Sequence, residues 1–192
     1  MNTPSLILAS ASPRRRELLH QLGITAQVWP ADLDERPHPG EPCDAYVQRI
    51  AREKAAAVWQ ASGGNLPVLA ADTAVVRDGV IFGKPQHRTH AIDMLTALSG
   101  QEHQVFSAIC LQTAEGQGQR LSISQVSFRP LTRDEIEAYW LSGEPADKAG
   151  AYAVQGRGAV FIRHLAGSYS GVMGLPLYET AELLAEWRLF RS

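Results

Sequence analysis

The sequence predicts an α/β fold built on a mixed β-sheet. Apolar runs typical of strands alternate along the chain with segments of helical periodicity. The middle of the chain also contains segments typical of hairpins, which join antiparallel strands. Because a purely parallel sheet contains no hairpins, these two patterns together favour a sheet with strands in both directions. The order of the strands does not follow from either pattern.

Turn and capping residues predict where the elements begin and end. Ser12-Pro13 supplies an N-cap and a first helical residue, and Gly23 ends the same helix. Asp78-Gly79 predicts a tight hairpin turn, and Thr132 predicts a helix start. The predicted strands are 6–9, 26–29, 68–71, 75–76, 80–82, 105–112, 121–128 and 160–165, and the predicted helices are 13–22, 44–62, 89–98, one following Thr132, and 175–190.

Composition restricts the classes of function. The chain has 192 residues, 45% of them hydrophobic, so we expect a single domain over 1–192 with a full core. A formal net charge of −2 provides no broad positive surface for nucleic acid or an anionic membrane. No apolar run approaches the about 20 residues that span a bilayer, and we expect the short apolar run 6–9 not to act as a secretory signal, which needs a basic start and a longer apolar stretch. With Cys43 and Cys110 far apart, we expect a cytoplasmic protein.

The first predicted helix begins with an unusual concentration of positive charge. Arg14, Arg15 and Arg16 follow Ser10 and Ser12 directly. Cations at a helix N-terminus are unfavourable by about 0.3–1 kcal/mol each, whereas an anion there is stabilised by the N–H groups and guanidinium groups. The segment is therefore a candidate phosphate site. A solvated basic face is the alternative, and it suits Arg16 best.

A lysine interrupts the apolar stripe of the long second helix. Val47, Ile50, Ala51 and Val58 share one helical face with Lys54. Lysine is rarely buried without a partner. Lys54 either extends its ammonium group to the surface or reaches a buried carboxylate or a phosphate.

Carboxylates suited to a metal or to proton transfer occur at two places. Asp72 comes directly after the predicted strand 68–71, which suggests a metal ligand or a general base, although aspartate also caps turns. Glu35 lies in the polar loop 32–42, and with Asp72 it could hold Mg²⁺ together with phosphate oxygens. Lys84 supplies another local cation. His103 is a possible ligand or acid, but a structural histidine is the commoner case.

Residues 143–158 form a glycine-rich segment without helical or strand periodicity. Such a long loop is usually functional or disordered, and its aromatic and small apolar residues argue against disorder. Gln155 offers both a donor and an acceptor, which suits the edge of a pyrimidine base.

These motifs, in this order, resemble the Maf family of nucleotide pyrophosphatases, and the resemblance covers about residues 6–184. The matching runs are Leu8-Ala9-Ser10-Ala11-Ser12-Pro13-Arg14-Arg15, Arg52-Glu53-Lys54-Ala55, Ala71-Asp72-Thr73, Asp78-Gly79 with Gly83-Lys84-Pro85, Gly143-Glu144-Pro145 through Gly156, and Gly167-Ser168-Tyr169 with Val172-Met173-Gly174-Leu175-Pro176-Leu177 and Glu179-Thr180.

The resemblance implies a fold and a chemistry. The fold would be a curved mixed sheet with flanking helices and two lobes around a cleft, like the inosine triphosphate pyrophosphatases. A nucleoside triphosphate would be split into monophosphate and pyrophosphate with the help of Mg²⁺ or Mn²⁺, and a homodimer would be usual. Asp72 would accept a proton from the attacking water and join Glu35 at the metal. The triphosphate would contact Ser10, Ser12, Arg14, Arg15, Lys54 and Lys84.

Three positions separate branches of this family. The branch acting on dTTP and UTP carries Arg, Thr and Gln where this sequence has Arg14, Thr73 and Gln155, whereas a branch acting on 7-methyl-GTP carries Trp, Gln and Glu. Ser107 replaces a frequent threonine and keeps the hydroxyl. The resemblance therefore implies a pyrophosphatase that acts on dTTP and UTP. Modified pyrimidine nucleotides are further possible substrates. The alternative is a non-catalytic nucleotide-binding regulator of cell division.

Overall fold

The computed structural model describes residues 4–190 and contains one seven-stranded sheet with helices on both faces. The mixed α/β prediction is confirmed: β1 is parallel to β2 and β3, and every other pairing is antiparallel. The strands are β1 Leu6–Leu8, β2 Ala26–Val28, β3 Val68–Arg77, β4 Val80–Phe82, β5 Glu102–Thr113, β6 Gly116–Phe128 and β7 Ile162–Ala166. Their order is β2-β1-β3-β5-β6-β7, with β4 beside β3.

Six α-helices accompany these strands within the described residues 4–190. They are α1 Pro13–Gln21, α2 Cys43–Ala61, α3 Arg88–Leu98, α4 Arg133–Leu141, α5 Tyr169–Met173 and α6 Leu177–Glu186, and short 3₁₀ turns occupy Glu144–Asp147, Ala149–Ala151 and Arg157–Phe161. The capping predictions are confirmed. The Ser12 hydroxyl accepts a hydrogen bond from the Arg15 N–H, and Thr132 forms a capping box with Glu135. No helix in the described part of the chain is both long and apolar enough to cross a membrane.

Five of the six described helices contribute to three groups of buried residues. Helix α2 covers one face, where Val47 and Ile50 pack against Ala70 and Ala108. On the other face, α1 and α6 pack in a second group that also contains Leu69 of β3 and Leu111 of β5. Helices α3 and α4 pack in a third group, which also contains Val75 of β3. The buried members of this last group are Val75, Ala91, Ile92, Met94, Leu95, Leu98, Val105, Val126, Phe128, Ile136, Tyr139, Ala151, Tyr152 and Phe161.

The prediction that β3 ends before Asp72 was wrong. The strand continues to Arg77 because Asp72 and Thr73 pair with Ala108 and Ser107 of β5. This ladder with a distant strand outweighs the local preference of aspartate for turns.

Several predicted boundaries also change. β5 and β6 form one long hairpin that includes the polar residues 116–120, and Gly118 is required there because a Cβ would lie 2.7 Å from Leu183 Cδ1. The last helix begins only after Pro176 and ends at Glu186. Helix α5 was not predicted, and the predicted strand 160–165 is a 3₁₀ turn followed by β7.

His103 has a structural position. It is 2% exposed, its Nε2 lies 2.8 Å from the Tyr152 hydroxyl, and its ring meets Phe128 edge-on. Burial, with a smaller contribution from the charge of Arg77, lowers the pKa of His103 to about 4.

This low pKa predicts a loss of stability in acid. Between pH 6.5 and 4 the unfolded chain binds a proton at His103 that the folded protein does not, so folding weakens as the pH falls through this window. The loss attributable to His103 is about 3 kcal/mol. Urea unfolding at pH 7.5 and pH 4 should therefore show a smaller acid loss for His103→Gln than for the native chain. The matched variant of exposed His164, His164→Gln, should follow the native chain; equal losses in all three proteins would contradict the assignment.

Candidate active site

A gap in the sheet creates the principal cleft. On one edge of β3, pairing with β1 ends at Leu69 and pairing with β4 begins at Val75. Within the described chain, residues 70–74 therefore have β5 on one side and no strand on the other. Asp72 and Thr73 lie in this stretch, and both line the cleft although they belong to a central strand.

The cleft has a volume of about 820 Å³, within the range of small-molecule sites. It brings together every residue predicted for the site: Ser10, Ser12, Arg14, Arg15, Glu35, Lys54, Asp72, Thr73, Lys84 and Gln155. The segments that carry them surround the gap, with the β1–α1 turn and α2 on one side and the β4–α3 connection and residues 147–155 on the other.

The β1–α1 turn holds its two serines in defined positions. The Ser10 hydroxyl accepts a hydrogen bond from the Ser12 N–H at 3.2 Å, and Ser12 caps α1. The first turn of α1 contains no acidic residue. Arg14 is half-buried and lines the cleft, whereas Arg16 is exposed outside it. The helix N-terminus and Arg14 thus present positive charge to the cleft.

The guanidinium group of Arg15 connects three segments. Its Nε donates to the Gly174 carbonyl at 2.8 Å, Nη1 to the Ser10 hydroxyl at 3.2 Å and Nη2 to the Thr73 hydroxyl at 3.2 Å. Thr73 in turn lies 3.1 Å from the Ser107 hydroxyl, which donates to the Gly171 carbonyl. Burial lowers the pKa of Arg15, with the nearby charges of Asp72 and Glu35 opposing this shift. Arg15 lines the cleft, and its donors also hold the cleft wall together.

Lys54 is buried and paired with two carboxylates. Its Nζ lies 2.9 Å from Asp72 Oδ1 and 3.0 Å from Glu35 Oε1. The side chains of Lys54 and Asp72 are each 8% exposed, whereas that of Glu35 is 43% exposed. The sequence left open whether Lys54 extends to the surface or reaches a buried partner. The structure shows the second arrangement, with a buried carboxylate as the partner.

The loop that carries Glu35 is fastened to α2 by residues that the sequence did not reveal. The Tyr46 hydroxyl donates to the Glu35 carbonyl at 2.9 Å. Arg49 bonds both carboxylate oxygens of Glu41 and the carbonyl of Arg36. An aromatic residue on the apolar stripe of α2 was the available signal for Tyr46, but no local pattern pointed to the pairing of Arg49 with Glu41.

The opposite wall adds a cation that was not predicted. Lys148 lines the cleft with Lys84, and its ammonium group forms an ion pair with Asp147. Burial lowers the pKa of Lys148, and Arg14 and Lys84 act in the same direction while Glu144 opposes them. Positive charges from both walls therefore repel one another across the cleft, an arrangement that a bound polyanion stabilises.

The donor chemistry fits a divalent cation. Glu35 and Asp72 converge on one ammonium group, so two hard oxygen donors already face a single cationic position. Among residues 4–190, no group of three or more His, Cys, Asp and Glu side chains could hold a metal ion. Two carboxylates completed by phosphate oxygens and water match the usual coordination of Mg²⁺, and Mn²⁺ takes similar ligands.

Fold and cleft together define an α/β protein with a cation-lined cleft that contains a buried carboxylate. The chain belongs to the Maf family, since the family model described as Maf-like protein matches residues 5–187. A relative from Methylococcus capsulatus named dTTP/UTP pyrophosphatase is 55% identical, over 93% of this chain and 89% of its own. One of the same name from Nitrosomonas europaea is 53% identical, over 97% of each chain. A solved nucleoside-triphosphatase, or dITP/XTP pyrophosphatase, from Mycobacterium abscessus aligns over 95% of this chain and 94% of its own, with a TM-score of 0.47 and 15% identity.

Removing the charge of Lys54 should destabilise the protein. Lys54→Met leaves Asp72 buried beside Glu35 without a cation, and breaking such a buried pair costs about 3 kcal/mol or more. Urea unfolding at pH 7 measures this loss. Lys84→Met removes an exposed lysine from the same cleft and should change the free energy of unfolding by about 0.5 kcal/mol or less. Similar values for the two variants would show that the buried pair contributes little.

Proposed function

We propose that the protein is a nucleoside triphosphate pyrophosphatase that hydrolyses dTTP and UTP to the monophosphate and pyrophosphate. The observation that carries the proposal is the convergence of Asp72, Lys54 and Glu35 in a cleft lined by further cations. The names of relatives about half identical over nearly the full chain support the reaction and the substrates.

In the proposed reaction, the triphosphate lies along the cationic wall. Arg14, Lys84 and the N-terminus of α1 neutralise its charge, with Arg15 and Lys54 behind them and the hydroxyls of Ser10 and Ser12 as hydrogen-bonding partners. These contacts bring the α-phosphorus beside Asp72, which accepts a proton from the attacking water. Pyrophosphate leaves in line with the attack, its charge offset by the same cations.

We propose that Glu35 and Asp72 hold Mg²⁺ or Mn²⁺. When bound, such a cation would offset charge that develops on the phosphate oxygens during the reaction. The ammonium group of Lys54 offsets the negative charge of the two carboxylates and so keeps them close together without a metal ion.

Base recognition is assigned to the part of the cleft wall that residues 147–155 form. Gln155 is exposed there, and its amide can both donate to and accept from a pyrimidine edge. Thr73 and Arg14 complete the set of three residues that, in the family resemblance, accompanies dTTP and UTP. Modified pyrimidine nucleotides would fit the same contacts.

We further propose a single domain over 1–192, acting as a homodimer in the cytoplasm without a nucleic acid partner. The net charge of −2 supports the last point, and the two free cysteines, Cys43 and Cys110, are compatible with a reducing compartment. Light scattering of the purified protein tests the dimer, for which a mass of one chain would be the contrary result.

A substrate panel tests the reaction. The purified protein with Mg²⁺ or Mn²⁺ should release pyrophosphate mainly from dTTP and UTP, and less from CTP, GTP, 7-methyl-GTP and ATP. Assays of both pyrophosphate and orthophosphate identify the phosphorus attacked. Orthophosphate alone would place the attack elsewhere, and nucleotide binding without turnover would favour the regulatory alternative.

A single substitution tests the role of Asp72. Asp72→Asn should lower kcat for dTTP by about 10²–10⁴-fold because the proton acceptor is lost, while binding changes much less. Isothermal titration measures binding and pyrophosphate release measures turnover. Asp93→Asn, at an exposed aspartate of α3, is the control and should keep native activity. Native turnover in Asp72→Asn would rule out the assigned role.

A further inference from the structure

Glu144 lies just outside the cleft and organises the segment that carries Gln155. It begins the 3₁₀ turn Glu144–Asp147, and its side chain is partly buried. Gln155 lines the cleft and Glu144 does not. A contribution of Glu144 to nucleotide binding must therefore pass through the residues that it holds.

The Glu144 carboxylate binds the backbone on the far side of Gln155. Its Oε2 accepts from the Arg157 N–H at 2.9 Å, and its Oε1 accepts from the Gly158 N–H at 2.9 Å. Two consecutive N–H groups of the chain therefore point at one carboxylate. This arrangement fixes the direction in which the chain leaves Gln155.

Tyr139 of α4 extends the same contact to the near side of Gln155. Its hydroxyl donates to Glu144 Oε1 at 2.7 Å and accepts from the Ala153 N–H at 3.1 Å. Both ends of the segment 153–158 are thus bound to one pair of side chains.

The segment is wrapped so tightly around the carboxylate that a glycine is required. Gly156 has φ 104° and ψ −149°, a conformation that other residues avoid. A Cβ on Gly156 would lie 2.5 Å from Glu144 Oε2. Side chain and backbone therefore fit one another in one arrangement only.

The contacts also keep Glu144 ionised. Burial by itself would raise the pKa of Glu144, but hydrogen bonds from Gly158, Tyr139 and Arg157 hold it below its usual value. The resulting negative charge faces Arg14, where it opposes the lowering of the arginine pKa by burial. The charge of Glu144 thus acts on Arg14 as well as on the segment that carries Gln155.

We infer that Glu144 is a positioning residue for nucleobase recognition: it holds residues 153–158 so that Gln155 faces the base. The inference rests on the proposed function, in which Gln155 contacts the base.

Three variants test this coupling: Glu144→Gln, Gln155→Ala and the double variant. In Glu144→Gln the new amide group must face an N–H group that the carboxylate accepted from, so one backbone contact is lost. KM for UTP should rise about tenfold, the effect of about one hydrogen bond, with a smaller change in kcat. The inhibition constant of tripolyphosphate, which has no base, should not rise. Gln155→Ala should have the same signature.

The double variant distinguishes a shared action from separate ones. If Glu144 acts through Gln155, KM of the double variant should stay near that of Gln155→Ala, whereas independent effects would multiply to about a hundredfold. Multiplying effects, a parallel rise of the tripolyphosphate constant, or an unchanged KM in Glu144→Gln would overturn the inference.

Two further proteins keep the outcome unambiguous. Glu137 lies on the same helix as Tyr139 and forms ion pairs with Arg88 and Arg133. Glu137→Gln removes these ion pairs and should leave KM unchanged. If Glu144→Gln does not fold, Tyr139→Phe breaks the same network at the other end and must give the same rise in KM. Absence of pyrophosphate release by the native protein would reject the proposed function itself. An active native protein with an unchanged KM in Glu144→Gln, or in Tyr139→Phe where that variant replaces it, would reject only the role of Glu144.

Discussion

The buried ammonium group of Lys54 is the constraint around which the cleft is arranged. A charge placed on the apolar face of α2 needs oxygen partners within reach, because an unpaired charge in such surroundings is very costly. Asp72 of β3 and Glu35 of the β2–α2 loop supply them. These ion pairs connect a helix, a strand and a loop, and the shared ammonium group allows the two carboxylates to lie side by side.

The sheet supplies the space that this arrangement needs. β1 stops early and its chain turns into α1, while β4 joins the same edge of β3 only several residues later. The interruption exposes the middle of a strand whose backbone remains fixed by β5. Asp72 and Thr73 are thus held on a rigid element, and the guanidinium group of Arg15 connects α1 with Thr73 and Gly174.

Features set by neighbouring residues could be predicted from the sequence, and features set by distant partners could not. Ser12, Thr132 and Asp78-Gly79 act within one turn of chain, and the structure has the expected caps and hairpin. The family motifs named the residues that now line the cleft. The length of β3, however, depends on β5, and the partners of Glu144 lie on a different helix and beyond a glycine turn. A lone glutamate or lysine has no local pattern that reveals such partners.

The open stretch of β3 also bears on how the chain avoids unwanted strand addition at an open edge. Unpaired strand edges are templates on which a second chain can add a strand, and charged side chains that point inward are one way to block this. Residues 70–74 form such an edge beside the cleft, and this stretch carries Asp72, which is paired with the charge of Lys54. The same ion pair therefore opposes the addition of a second strand at this edge, and a chain with apolar residues at both positions would lose that protection.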